Sequence, residues 1–156
     1  MKAIQITAFG GPDVMKYVDL ADPVAGTDEV VLDVTAVGIN YADTHQTENS
    51  YLSPQTLPMI PGIEVVGTHA GKRYLASVSS GGYAQKAIAH TSVLFPIPDA
   101  VTDEQALCML VQGATAWHLL KTMGNLQKGQ FVVVHAAAGG VGTIAVSYTH
   151  LRAHET

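Results

Sequence analysis

The chain has a single cysteine, Cys108, in 156 residues. That excludes an internal disulfide framework and any cysteine-rich zinc knuckle, and it points to a reducing, cytoplasmic setting. Charge is also scarce. Asp, Glu, Lys and Arg make up 13% of the chain, about half of the roughly 25% usual in globular proteins. The balance is acidic, with 8 Lys and Arg against 13 Asp and Glu and a net charge of −5, so a basic surface for nucleic acid is not expected. Long apolar runs are missing too. The longest, near residues 30–37 and 131–138, fall far short of the roughly 20 residues that cross a bilayer. The N-terminus meets Gly10-Gly11-Pro12 before any signal-peptide-like run develops. No membrane partner is expected. Hydrophobic residues reach 47%, which excludes global disorder, and the length alone predicts one domain.

What is present reads first as β-structure. Residues 2–9 alternate with a period of two and end at Gly10-Gly11-Pro12-Asp13, and residues 17–20 are expected to return as the second strand of a hairpin. Residues 30–37 (VVLDVTAV) read as a half-buried strand broken by Gly38. A short helix over 41–46 follows, with Asn40 as its cap. Pro54, Pro58 and Pro61 predict an ordered surface loop over 51–62. Short β-prone runs at 62–68, 72–78 and 82–89, separated by glycine turns, complete a small β-barrel-like domain. From Thr102 to Met123 apolar residues recur at helical spacing, with Asp103 and Glu104 in the first turn, and two helices broken near Gln112-Gly113 are predicted.

The most informative segment is FVVVHAAAGGVGTIAV, residues 131–146. It joins a continuous apolar run, expected to be a buried parallel strand, to a glycine turn and a helix start. Small residues there let a backbone approach a pyrophosphate, while the helix N-terminus offers free N–H groups. Ala136, Gly139 and Gly142 hold the three spaced positions, with Ala in place of the first Gly. The alternative is a tight strand-to-helix turn that binds nothing.

Five ordered segments carry a wider resemblance: GINYADTHQ at 38–46, LPMIPGIEVVG at 57–67, SGGYAQKAIAH at 80–90, LVQGATAWHLL at 110–120 and HAAAGGVG at 135–142. Together they resemble the medium-chain dehydrogenase/reductase superfamily, and within it the zinc-independent, zeta-crystallin-like quinone oxidoreductases. The resemblance implies a mixed β and α/β fold: a GroES-like β-barrel domain over 1–110, then the start of a Rossmann NADP-binding domain over 111–146. It implies NADPH as cofactor, a small quinone or activated enone as substrate, hydride transfer as the reaction, and a homodimer. The rival readings are an enoyl reductase module of a polyketide or fatty-acid synthase and a non-enzymatic, dinucleotide-responsive binding protein. Zinc relatives have Cys, His and Cys ligands where this chain has Asn40, Ile63 and Gln112, so no metal is expected.

Candidate site residues follow, each with a plainer structural reading. Asn40 and Gln112 carry amide donors for a substrate carbonyl or the nicotinamide amide; otherwise Asn40 is a helix cap and Gln112 a surface polar residue. Asp43 and His45 pair only if their helix is tight. His45 replaces a tyrosine that meets the nicotinamide end of NADPH in the relatives. Tyr51 matches a second family tyrosine near the cleft, or is a packed aromatic; Tyr41 is a weaker candidate. Ala136, Ala138, Gly139, Gly140, Val141 and Gly142 are assigned to the cofactor. The remaining histidines read as structural. Trp117 and Met109 are expected in the core, and Cys108 is expected to be an inert buried thiol.

The resemblance stops at Val146. Relatives continue with several more βα units, whereas here VSYTHLRAHET closes the chain. That string is the translation of a nucleotide sequence resembling a widely used transposase sequencing adapter. Residues 147–156 are therefore expected to be a non-native tail.

Overall fold

The computed structural model describes residues 1–50 and 53–153, the last three without their side chains. It divides into two compact units, Met1–Leu107 and Cys108–Thr156.

Unit 1 is built on antiparallel strands. β1 (Lys2–Gln5) pairs with β2 (Lys16–Asp19) in the expected hairpin. A five-stranded sheet follows, formed by β3 (Glu29–Val37), β4 (Glu64–His69), β5 (Lys72–Ser77), β6 (Lys86–His90) and β7 (Leu94–Pro96) in the order β6-β3-β4-β5-β7. The register of β3 on β4 shifts between Val34 and Ala36, a bulge that adds twist where the sheet curls. The β domain is thus a curled antiparallel sheet, a half-barrel. Leu32, Val65, Ala76, Val78, Ala87 and Ala89 form its buried core. These are alternate positions on neighbouring strands, as period-two patterning requires.

The proline loop departs from expectation. Met59 and Pro61 are buried, and Ile6 and Met59 exchange backbone hydrogen bonds of 2.9 and 3.0 Å. Proline brings no N–H to satisfy, so a proline-rich segment can enter an interior with few donors left over.

α2 (Asp103–Cys108) begins with a reciprocal cap. Gln105 N–H donates to Thr102 Oγ1 at 3.2 Å, and Thr102 N–H donates to Gln105 Oε1 at 3.0 Å. Asp103 ties this turn to the sheet, accepting from the Thr35 hydroxyl and from Arg73 Nη1, each at 2.7 Å. The Thr35 hydroxyl first, and Arg73 after it, hold the Asp103 carboxyl below its ordinary value of 3.8. A depressed carboxyl contributes stability above its unfolded value, and that contribution is lost as pH falls through the lower folded value. Asp103→Asn is therefore expected to lower the urea midpoint at neutral pH and to flatten its fall below about pH 4. Parallel curves for variant and wild type would contradict this.

Unit 2 is helical. No break occurs at Gln112-Gly113; the backbone at Gly113 is helical (φ −66°, ψ −49°). Instead, α3 (Ala114–Trp117) is flanked by π-helical segments at Met109–Gly113 and His118–Met123. α4 (Gly140–Ala153) follows the glycine turn, and its Ala145 packs with Ala116 and Leu120 as a small core. Three further expectations fail in this unit. Residues 131–135 form no strand, and Phe131 is 103% exposed. Cys108 is exposed rather than buried. Met109 and Trp117 also face outward, Trp117 being 48% exposed with its ring edge-on to Tyr148 at 5.6 Å. Leu126 and Val134, from the segment between the two helices, also pack against this core.

Candidate functional sites

In unit 1 the candidate residues gather at the start of α1 (Tyr41–Glu48). Asn40 occupies the cap position with extended backbone (φ −119°, ψ 149°). Its N–H donates to Asp43 Oδ2 at 2.8 Å, and its side-chain Nδ2 donates to Glu64 Oε1, also at 2.8 Å. Tyr83 donates its hydroxyl to the same Asp43 oxygen at 2.6 Å. Glu64 and Asp43 are only 1% and 5% exposed. Carboxylates so deeply placed must accept hydrogen bonds to be tolerated, and here they orient an amide and a phenol. Burial first, and the Asp43 bond after it, push the Tyr83 phenol well above its ordinary value of 10, so it stays protonated.

Asp43 and His45 do not pair. Two residues apart on a helix, they point in different directions: His45 Nδ1 lies 2.9 Å from Ser50 Oγ, and its ring meets Tyr41 edge-on at 5.0 Å. Tyr51 lies outside the described residues. A cleft of about 520 Å³ opens beside this cluster, lined by Met15, Ile39, Asn40, Tyr41, Asp43 and Tyr83 among others. Its walls are largely apolar with a few polar groups, a composition typical of small-molecule sites. Sequence reasoning misses Glu64 and Tyr83. An acid between Ile63 and Val65 at the head of an apolar strand is the available signal for Glu64.

In unit 2, the turn before α4 carries Ala136, Ala138 and Gly139, and the first turn of α4 carries Gly140, Val141 and Gly142. Ala136 takes the left-handed conformation (φ 52°), and Gly139 N–H donates to its carbonyl at 2.9 Å. Ala136 O lies so near Gly142 that a Cβ there would stand 2.2 Å away. A second cleft, about 560 Å³, is lined by this turn and by Leu119, Leu120 and residues 132–135. No carboxylate side chain occurs between Glu104 and Glu155, a signal available in the sequence. Gln112 lies against Gly140. Among the described residues, no three His, Cys, Asp or Glu side chains are grouped to hold a metal ion, and no helix is long and apolar enough to cross a membrane.

A model of the alcohol dehydrogenase GroES-like domain matches residues 26–71. The human synaptic vesicle membrane protein VAT-1 homolog is 35% identical, covering 94% of this chain and 40% of its own length. Human quinone oxidoreductase is 33% identical, covering 93% of this chain and 48% of its own. The quinone oxidoreductase of Thermus thermophilus, whose structures include a complex with NADPH, superposes with a TM-score of 0.89 at 40% identity, over 96% of this chain and 50% of that one. The chain is a homologue of the quinone oxidoreductases, with an alcohol dehydrogenase GroES-like domain. It spans about half the length of these relatives.

Proposed function

We propose that this chain is the first half of a zinc-independent NADPH:quinone or enone reductase, and that alone it does not turn over. Residues 1–110 act as the GroES-like substrate domain, 111–146 as the opening of the dinucleotide-binding domain, and 147–156 as a non-native tail. The observation that carries the reading is the cradle before α4, where Gly142 has no room for a Cβ beside Ala136 O. Such a turn lets backbone N–H groups close on an anion at a helix N-terminus. The pyrophosphate of NADPH fits it, held by Ala136, Ala138, Gly139, Gly140, Val141 and Gly142. Bound NADPH supplies the hydride.

This chain's own side chains bind and orient. Asn40, Asp43, His45 and Tyr51 belong to the substrate and nicotinamide end, with Glu64 fixing the Asn40 amide through the 2.8 Å bond. Zinc has no role in this reading, because Asn40, Ile63 and Gln112 stand where the metal's ligands would be and Asn40 is bonded to Glu64. A quinone or enone is already polarised, so positioning and hydrogen bonds suffice. The full-length protein is a cytoplasmic homodimer that takes a small-molecule substrate and neither nucleic acid nor membrane.

Purified 156-residue protein is expected to oxidise NADPH with a benzoquinone no faster than the protein-free mixture. A chimaera of residues 1–146 joined to the second half of the Thermus relative is expected to turn over. Activity proportional to the concentration of the purified chain would refute its inactivity, and an inert, folded chimaera would refute the reductase reading.

A further inference from the structure

The π-helical segment Met109–Gly113 packs against α4, and Gln112 is the residue that meets the turn. An i→i+5 turn holds one residue more than an α-turn, so it changes which side chain faces a neighbour by about 100° around the axis. Here the side chain delivered is Gln112, and its seat is the bare Cα of Gly140. A Cβ on Gly140 would stand 2.9 Å from Gln112 Cγ, 3.8 Å from Cδ and 3.9 Å from Cβ. The part of Gln112 that lies over Gly140 is its aliphatic stem.

Gly140 is the first residue of α4, and it is followed by the N–H groups of Val141 and Gly142. This first turn is closed by Thr143 N–H donating to Gly139 O at 2.8 Å, and the loop before it by Gly139 N–H donating to Ala136 O at 2.9 Å. Both bonds lie at the protein's surface, where such turns fray readily. We propose that Gln112 is a positioning residue: its stem, pressed on to Gly140 by the π-turn, holds the N–H groups of residues 140–142 in the geometry that receives a pyrophosphate. The identity of the anion rests on the dinucleotide reading above. The ordering of the turn does not.

Amide hydrogen exchange on the whole chain tests this, comparing wild type with Gln112→Ala and Gln112→Met, each with and without NADPH. Without NADPH, Gln112→Ala is expected to lose about tenfold of the protection at Gly139 and Thr143, while Gln112→Met, which keeps the stem and lacks the amide, stays within about twofold of wild type. The loss is confined to residues 139–143, and the amides of Ala116 and Leu120 are unmoved. Unchanged exchange at Thr143 in Gln112→Ala overturns the proposal. So does a Gln112→Met chain that behaves like Gln112→Ala, or a loss spread evenly through unit 2. Protection gained at 139–143 when NADPH is added to wild type tests the dinucleotide reading separately. If that gain is missing while the variants behave as stated, the dinucleotide reading fails and the positioning role stands.

Discussion

Replacing Gly142 by alanine is expected to take apart the turn ahead of α4. The added Cβ would lie 2.2 Å from Ala136 O and 2.7 Å from Ala137 Cα. Both are backbone atoms, so no rotamer change relieves the clash. Moving Ala136 is also costly, because it already sits in the left-handed region (φ 52°), where an L-residue other than glycine is disfavoured by roughly 1 kcal/mol. A cost of about 3 kcal/mol to unit 2, the upper end for overpacking, is expected. Far-UV dichroism should report lost helix and a lower thermal midpoint. Gly11→Ala is the control, since it has open space around its Cβ and an ordinary φ of −71°; it should stay within about 0.5 kcal/mol. If Gly142→Ala melts together with that control, the close approach has no energetic weight.

The second large effect is expected at Asp43. One of its oxygens serves both the Asn40 N–H and the Tyr83 hydroxyl, and the residue is nearly inaccessible. Asp43→Ala leaves two donors without their acceptor and releases the start of α1. Buried polar groups stranded in this way cost roughly 1–3 kcal/mol each, so a loss of about 3 kcal/mol is expected. Tyr83→Phe removes only one end of one bond and should cost about 1 kcal/mol. The two losses should not add, because both variants break the same bond. Tyr83→Phe has a further signature. A phenol raised in the fold contributes stability that is full below its unfolded value near 10 and lost as pH climbs above it. The phenylalanine variant should therefore show a shallower decline on the alkaline side. Urea titrations across the pH range decide both points, and a wild-type midpoint for Asp43→Ala would remove the network from any account of the site.

Why some of this was legible in the sequence and some was not follows from the range of the interactions. Strands β3 to β6 were readable because alternation and glycine punctuation are local. So was α1, with Asn40 at its cap. The reciprocal cap of Thr102 and Gln105 was missed, although TDEQ has the spacing of a capping box. The Asp43–Tyr83 bond joins residues 40 positions apart, and nothing local marks such a pair. Residues 131–135 show the converse error. Their composition says what burial would suit them, but a strand is made by its neighbours, and none of the described elements pairs with them. The outward-facing Cys108, Met109 and Trp117 escape sequence reasoning for the same reason, since apolar periodicity identifies a face without saying what lies on it. The glycine turn that leads into α4 was legible as a turn because its glycines answer to contacts within a few residues of themselves.

Trp117 is the chain's one tryptophan, and it lies in unit 2, half in solvent, edge-on to Tyr148. Indole emission is therefore a private reporter of that unit and is silent about the β domain. When fluorescence and far-UV dichroism are recorded on the same heating ramp, non-coincident curves would reveal two separately melting parts. A midpoint taken from tryptophan alone would describe the smaller part.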